Sequence, residues 1–176
     1  MGFADKLSSL VKNSDPKCEV VSKKAAAACV LAKVYEEIQE LYIANAGDTR
    51  AYLVRGDRIV HSTVPENWPG IQYFLGFMTD VQIRSDPNRF ILPGGLLGQG
   101  KFYEDQEELS MYIWKYREGD RLVLCCDGLW ESTPSDADLA QIVGEAKSVK
   151  QASENLVKIA LENEAEDDIS VIVVQL

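Results

Sequence analysis

The sequence has 176 residues, with Lys+Arg 18 against Asp+Glu 28, a formal net charge of −10, 46% apolar and 26% charged residues. That length and mixture fit one domain over residues 1–176 with a sizeable core, and exclude a disordered chain, a collagen-like repeat or a disulfide mini-fold. The acidic balance disfavours nucleic acid and anionic lipid as partners, and no apolar run nears the roughly 18 residues of a membrane span.

The first 15 residues, with Phe3, Leu7, Leu10 and Val11 at helical spacing, predict a short amphipathic helix that Asp15-Pro16 stops. The N-terminus has no signal-peptide core and Lys6 makes a poor myristoylation signal, so a cytoplasmic chain is expected. Cys18 to Lys33 reads either way, helix through its alanines or strand through Cys29, Val30 and Leu31. Leu41 to Ala46 predicts a strand, Gly47-Asp48 a turn, Arg50 to Val54 and Ile59-Val60 a hairpin closed by Arg55-Gly56-Asp57-Arg58. Residues 61–100, with Pro65, Pro69, Pro87 and Pro93 and a Gly-rich end, read as one long irregular segment.

Leu109 to Trp114 and Arg121 to Cys126 predict two further strands, and 136–146 and 148–163 two helices. The second helix carries Val149, Ala152, Leu156 and Ile159 on one face behind Ser148 as N-cap. Ile169 to Leu176 closes the chain as an apolar strand. Hairpin-ordered strands with the helices grouped later indicate an α+β fold. Cys18, Cys29, Cys125 and Cys126 show no CxxC spacing, which leaves zinc and redox roles unsupported; adjacent Cys125 and Cys126 suit small buried apolar positions.

Two acidic positions end buried strands. Asp127 follows RLVLCC, and Asp167-Asp168 precede ISVIVVQL. Carboxylates at neighbouring strand ends can converge, and converging carboxylates hold hard cations such as Mg²⁺ or Mn²⁺. The bland reading stands beside this: Asp-Gly is a common turn dipeptide and acidic clusters are commonly solvated surface.

The segments LYIANAGDTRAYLVRGDRIV, GDRLVLCCDGLWE and EDDISVIVVQL, in this order and at these separations, resemble the metal-dependent protein phosphatases (PPM), also called type 2C. Asn45, Gly47, Asp48, Thr49, Arg50, Ala51 and Tyr52 match the family's N-x-G-D-[ST]-R-[AC]-Y. Asp127-Gly128 ends its G-D-x-[LV]-[LV]-L-[CA]-[ST]-D-G, with Cys126 where Ser or Thr is usual, and Asp167 to Val171 match its closing D-[ND]-[IM]-[ST]-V. The resemblance covers roughly residues 20–176. It implies a four-layer αββα sandwich of antiparallel sheets flanked by helices, truncated on its N-terminal side. It also implies hydrolysis of phosphoserine or phosphothreonine in proteins, by in-line attack of metal-activated water without a covalent enzyme intermediate. On the same ground Asp127 and Asp167 are candidate metal ligands with Asp168 behind them, and Gly128 lets the backbone turn tightly beside the metal. Asp48, Thr49 and Arg50 are read as structural, pinning a hairpin by side-chain hydrogen bonds. His61 lies outside the motifs and is read as a surface or packing residue. The span 61–100 would hold the family's flap, with Trp68, Phe74 and Phe77 packing it down or meeting substrate.

The family's N-terminal elements are absent: no N-x-D strand, no phosphate-holding Arg beside it, and no D-G-x-G-G, since Asp127-Gly128 is the one Asp-Gly in the sequence. A bridged pair of metals roughly 3.5–4 Å apart therefore lacks its bridging ligand. Two carboxylates suffice for weak binding of a single Mn²⁺ or Mg²⁺, with water filling the other positions. Three explanations fit: a piece of a longer phosphatase, a pseudophosphatase acting as a binding or regulatory module in signalling, or half of a split enzyme. The partners expected are a phosphoprotein substrate or signalling partner and, for a split enzyme, a chain supplying the missing portion.

Overall fold

The structure, a computed structural model, describes residues 28–91 and 110–176. The predicted N-terminal helix and the Gly-rich end of the 61–100 segment lie outside the described residues. Among the described residues seven strands form two antiparallel sheets. The first holds β1 (Cys29–Tyr35), β2 (Glu40–Ala46) and β5 (Ser110–Lys115) in the order β1-β2-β5; the second holds β3 (Arg50–Arg55), β4 (Arg58–Ser62), β6 (Arg121–Cys125) and β7 (Val171–Gln175) in the order β4-β3-β6-β7. The chain between Cys18 and Lys33 is thus strand from Cys29 onward, because Val30, Ala32 and Val34 alternate into the space between the sheets.

Alternation decides which layer each side chain enters. Leu41 and Ile43 of β2, Ala51 and Leu53 of β3, Trp114 of β5 and Leu122 of β6 meet between the sheets. The opposite parity, Tyr52 and Val54 of β3 with Val123 and Cys125 of β6, faces α4 (Asp136–Glu145) and α5 (Val149–Glu162) through Leu139, Val143, Leu156 and Ala160. Two sheets face to face with helices outside them match the α+β expectation; among the described residues the helical layer covers the four-stranded sheet. Cys125 is buried and Cys126 half-buried, and Cys29, Cys125 and Cys126 are free thiols. His61 stacks on Trp114 with ring centroids 5.5 Å apart, where β4 passes β5.

The helices begin where the side chains provide caps. Ser135 accepts the Asp138 amide and Ser148 accepts the Gln151 amide. The buried stripe of α5 runs through Ala152, Leu156 and Ala160, with Ile159 at its margin. The largest correction concerns residues 61–91, which contain two helices, α1 (Trp68–Phe74) and α2 (Asp80–Arg84). Pro69 does not break α1, since its first turn needs no amide donor there, and Asn67 caps it by accepting the Gly70 N–H. Thr79 and Gln82 form a reciprocal capping box that starts α2.

At the end of the four-stranded sheet away from the acidic strand ends, Asp120 is buried against Arg55. The guanidinium donates from Nε to Oδ1 and from Nη2 to Oδ2, both at 2.7 Å, and the Arg117 amide adds a bond of 2.8 Å. Burial alone would raise the Asp120 pKa; the hydrogen bonds and the Arg55 and Arg117 charges outweigh it and hold the carboxyl below its ordinary 3.8. The folded chain therefore binds fewer protons here than the unfolded chain. The pair's contribution is complete above the ordinary carboxylate range and is lost as pH falls through the lowered value. Urea midpoints measured between about pH 5 and 2 should fall more steeply for the parent chain than for Asp120→Asn; parallel curves would remove this pair from the acid response.

Candidate functional site

The site begins where β6 stops. Cys126 is the extended N-cap residue of a one-turn helix, α3 (Asp127–Trp130), so Asp127-Gly128 opens a helix and is not a loop turn. Asp127 Oδ1 accepts the Gly128 N–H at 2.9 Å and its carbonyl accepts the Glu131 N–H at 2.9 Å. The acidic turn before β7 lies directly against this helix. The Cys126 N–H donates to the Ser170 carbonyl at 3.2 Å, the Cys126 thiol donates to the Asp168 carbonyl at 3.1 Å, and the Ser170 N–H donates back to Sγ at 3.1 Å. Gly128 is needed for this approach: a Cβ there would collide with the Asp168 carbonyl and crowd that of Asp167. The physical reason differs from the expected tight turn, because Gly128 is helical and is not among the residues with positive φ.

Asp127 and Asp167 line one cleft of about 310 Å³ together with Glu131, Glu166, Arg84 and Arg89. Asp168 is not part of its lining; its carbonyl is spent on Cys126, and its own N–H donates to Asp167 Oδ1 at 2.7 Å. Asp48 and Thr49 form the turn after β2, and Arg50 opens β3. Gly47 takes φ 85°, Thr49 Oγ1 donates to Asn45 Oδ1 at 3.1 Å, and Asn45 Nδ2 donates to the Gly47 carbonyl at 3.1 Å. The Asp48 carbonyl accepts the Trp130 indole N–H at 2.8 Å, which ties this turn to α3.

Arg50 is fully buried and reaches α4. Its Nη1 and Nη2 donate to the two carboxylate oxygens of Asp136 at 3.2 and 3.3 Å, and its Nε to the Thr63 carbonyl at 3.2 Å. Arg84 of α2 shares Asp136 and donates from Nε to the Trp130 carbonyl at 2.9 Å. Asp80 closes the circuit, its Oδ2 accepting the Asp136 N–H at 2.9 Å. Two arginines and two carboxylates therefore fasten α2, α4 and the turn at Asp48 to the back of α3.

Two carboxylates respond to the negative charge gathered here. Burial, then the charge of Asp127, with smaller effects of Asp167 and Glu66 and an opposing backbone hydrogen bond, pushes Asp48 up to about 6. Burial also pushes Glu131 up to about 7; Arg89 opposes the shift while Asp127 and Asp48 add to it. Glu131 was missed in the sequence motifs, yet it stands four residues after Asp127, a spacing that puts both on one helix face. Arg89 and Asp136 carried no comparable signal, since their partners are distant in sequence.

These oxygens form a hard, anionic donor set suited to a divalent cation. Among the described residues no group of three or more His, Cys, Asp and Glu side chains is gathered to enclose an ion. Of the expected ligands, the cleft lining brings together Asp127 and Asp167, and a bridged pair of cations finds no bridging ligand among the described residues. No helix among the described residues is long and apolar enough to cross a membrane.

The paired antiparallel sheets with flanking helices match the fold of solved PPM-type serine/threonine phosphatases. The family model described as Stage II sporulation protein E (SpoIIE) matches residues 4–176, and the chain belongs to that family, in which the PPM resemblance also holds. Among relatives, it is 26% identical over 133 residues to the serine/threonine protein phosphatase PstP of Mycobacterium tuberculosis (strain CDC 1551 / Oshkosh), covering 76% of this chain and 24% of that protein. It is 25% identical over 136 residues to the serine/threonine phosphatase stp of Listeria innocua serovar 6a, covering 77% of this chain and 52% of that protein. The chain thus spans about half of one relative and a quarter of the other. The solved structure of serine/threonine phosphatase Stp1 from Staphylococcus aureus shares the fold at TM-score 0.74 and 22% identity, over 98% of this chain and 63% of that one. The catalytic domain of PstP, solved in complex with 2 manganese ions, shares it at TM-score 0.70 and 18% identity, over 98% of this chain and 66% of that one.

Proposed function

We propose that this chain is a PPM-type phosphatase module that holds one Mn²⁺ or Mg²⁺ at Asp127 and Asp167 and serves the hydrolysis of phosphoserine or phosphothreonine in proteins. The observation that carries this reading is the meeting of Asp127 and Asp167 on one cleft, backed by Glu131 and with the Asp48 carboxyl feeling both charges. When bound, such a cation supplies charge neutralisation at a phosphoryl group and acidifies a coordinated water. The chain's own part is positional. Gly128 admits the Asp167-Asp168 backbone, Asp127 opens the first turn of α3, and the arginine network fixes that helix from behind. Asp168 stands as a reserve ligand beside Asp167.

The reading includes one domain over residues 1–176, a cytoplasmic setting and a phosphoprotein partner. It is supported by the relatives named as serine/threonine phosphatases and by the neighbour solved with manganese. With two ligands on the cleft and no D-G-x-G-G in the sequence, catalysis by this chain alone should be weak, and a partner supplying further carboxylates should raise it. A second reading, a non-catalytic binding module, draws on the same absent motif.

Manganese-dependent release of phosphate from a phosphoserine peptide separates the two. The phosphatase reading expects slow turnover in the parent chain that Asp127→Asn abolishes. No turnover with any added manganese, together with partner binding that Asp127→Asn leaves intact, would favour the binding module.

A further inference from the structure

The cleft has five carboxylates in its lining, from Asp127, Glu131, Glu164, Glu166 and Asp167, and two guanidinium groups. Arg84 is committed to the interior. It is 5% exposed, and its nitrogens serve the Trp130 carbonyl, Asp80 and Asp136. Arg89 faces the cleft differently. Nε donates to Glu131 Oε2 at 2.9 Å and Nη2 donates to Glu166 Oε2 at 2.8 Å, while the guanidinium lies 4.2 Å from the Phe90 ring centre. Among the described residues Nη1 has no acceptor, so the group's remaining N–H donors are available from a side chain already oriented.

The two carboxylates that hold Arg89 are unequal. Glu131 is 15% exposed and shielded at the base of α3, whereas Glu166 is 79% exposed in the acidic turn. An exposed ion pair is weak and exchanges readily. A phosphoryl group can therefore displace Glu166 while Glu131 keeps the guanidinium plane in place. Guanidinium matches phosphate geometry with paired, charge-assisted donors, which a carboxylate-rich cleft otherwise lacks.

We propose that Arg89 is the phosphoryl-binding side chain of this cleft, gripping the phosphate oxygens of a phosphoserine or phosphothreonine peptide after displacing Glu166. This rests on the proposed phosphatase function.

Inorganic phosphate titrated into the full chain in the presence of Mn²⁺, followed by ³¹P line broadening, tests it, with Mn²⁺ affinity measured separately. Arg89→Met should weaken phosphate binding about 10- to 100-fold and leave Mn²⁺ affinity within about twofold, with Arg89→Lys between. Glu166→Gln should tighten phosphate binding, because a competitor for Arg89 is removed. A mere clasp predicts the reverse pairing: both variants lower the melting temperature and neither moves phosphate affinity. That result overturns the proposal, as does absence of phosphate binding by the parent chain. If Arg89→Met does not fold, Glu166→Gln decides alone, and no tightening counts against Arg89. Phosphate binding that needs Arg89 but ignores both Mn²⁺ and Asp127→Asn would sustain Arg89 and overturn the proposed metal-dependent function.

Discussion

Arg50→Met should destabilise the chain by about 3–5 kcal/mol, read as a lower urea midpoint at unchanged slope. The size follows from what the substitution leaves behind. Arg50 is fully buried, stacked 4.5 Å from the Tyr52 ring centre and 5.3 Å from that of Trp130, and bonded to both oxygens of Asp136. Met fills much of the volume but leaves Asp136 with Arg84 alone and the Thr63 carbonyl without its Nε donor. A buried charge pair adds little net stability over an apolar replacement of both members, yet removing one member strands the other. Arg50→Lys should fall between, since it keeps the charge and loses the fork. A loss under about 1 kcal/mol would mean that Arg84 satisfies Asp136 unaided.

Trp130→Ala should cost a similar amount, about 3–5 kcal/mol, and should also disturb the cleft. Trp130 is fully buried in the helix-side core, its indole N–H holds the Asp48 carbonyl, and its own carbonyl holds Arg84. Truncation opens a cavity under α3 and frees the turn at Asp48 together. Trp130→Phe separates the two effects: the ring persists, the N–H is lost, and about 1–3 kcal/mol should go with the stranded carbonyl. If Phe and Ala cost the same, the hydrogen bond dominates and the packing account is wrong. Urea unfolding of the three chains decides it.

The strands were legible because alternation over 41–46, 50–54 and 121–126 is local and both of its parities are buried. Ser148 and the helices after residue 136 were legible for the same reason, since caps and apolar spacing act within a few residues. The helices at 68–74 and 80–84 were not, because Pro69 and a run of short turns look alike whether they start a helix or break one. In the site, Asp127 and Asp167 could be singled out by their place at strand ends. The roles of Asp136, Arg84 and Arg89 could not, for each depends on a partner 42 to 86 residues away. Gly128 shows the same limit: its identity is readable, but the crossing backbone that demands it comes from 167–168.

In the proposed function Asp127 and Asp167 together hold a divalent cation. Calorimetric titration of Mn²⁺ into the parent chain, Asp127→Asn, Asp167→Asn and the double variant at neutral pH tests it most directly. One binding event per chain is predicted, weakened at least tenfold by either substitution and absent in the double variant. Binding that survives the double variant unchanged, or a parent chain that takes up no Mn²⁺, would contradict it.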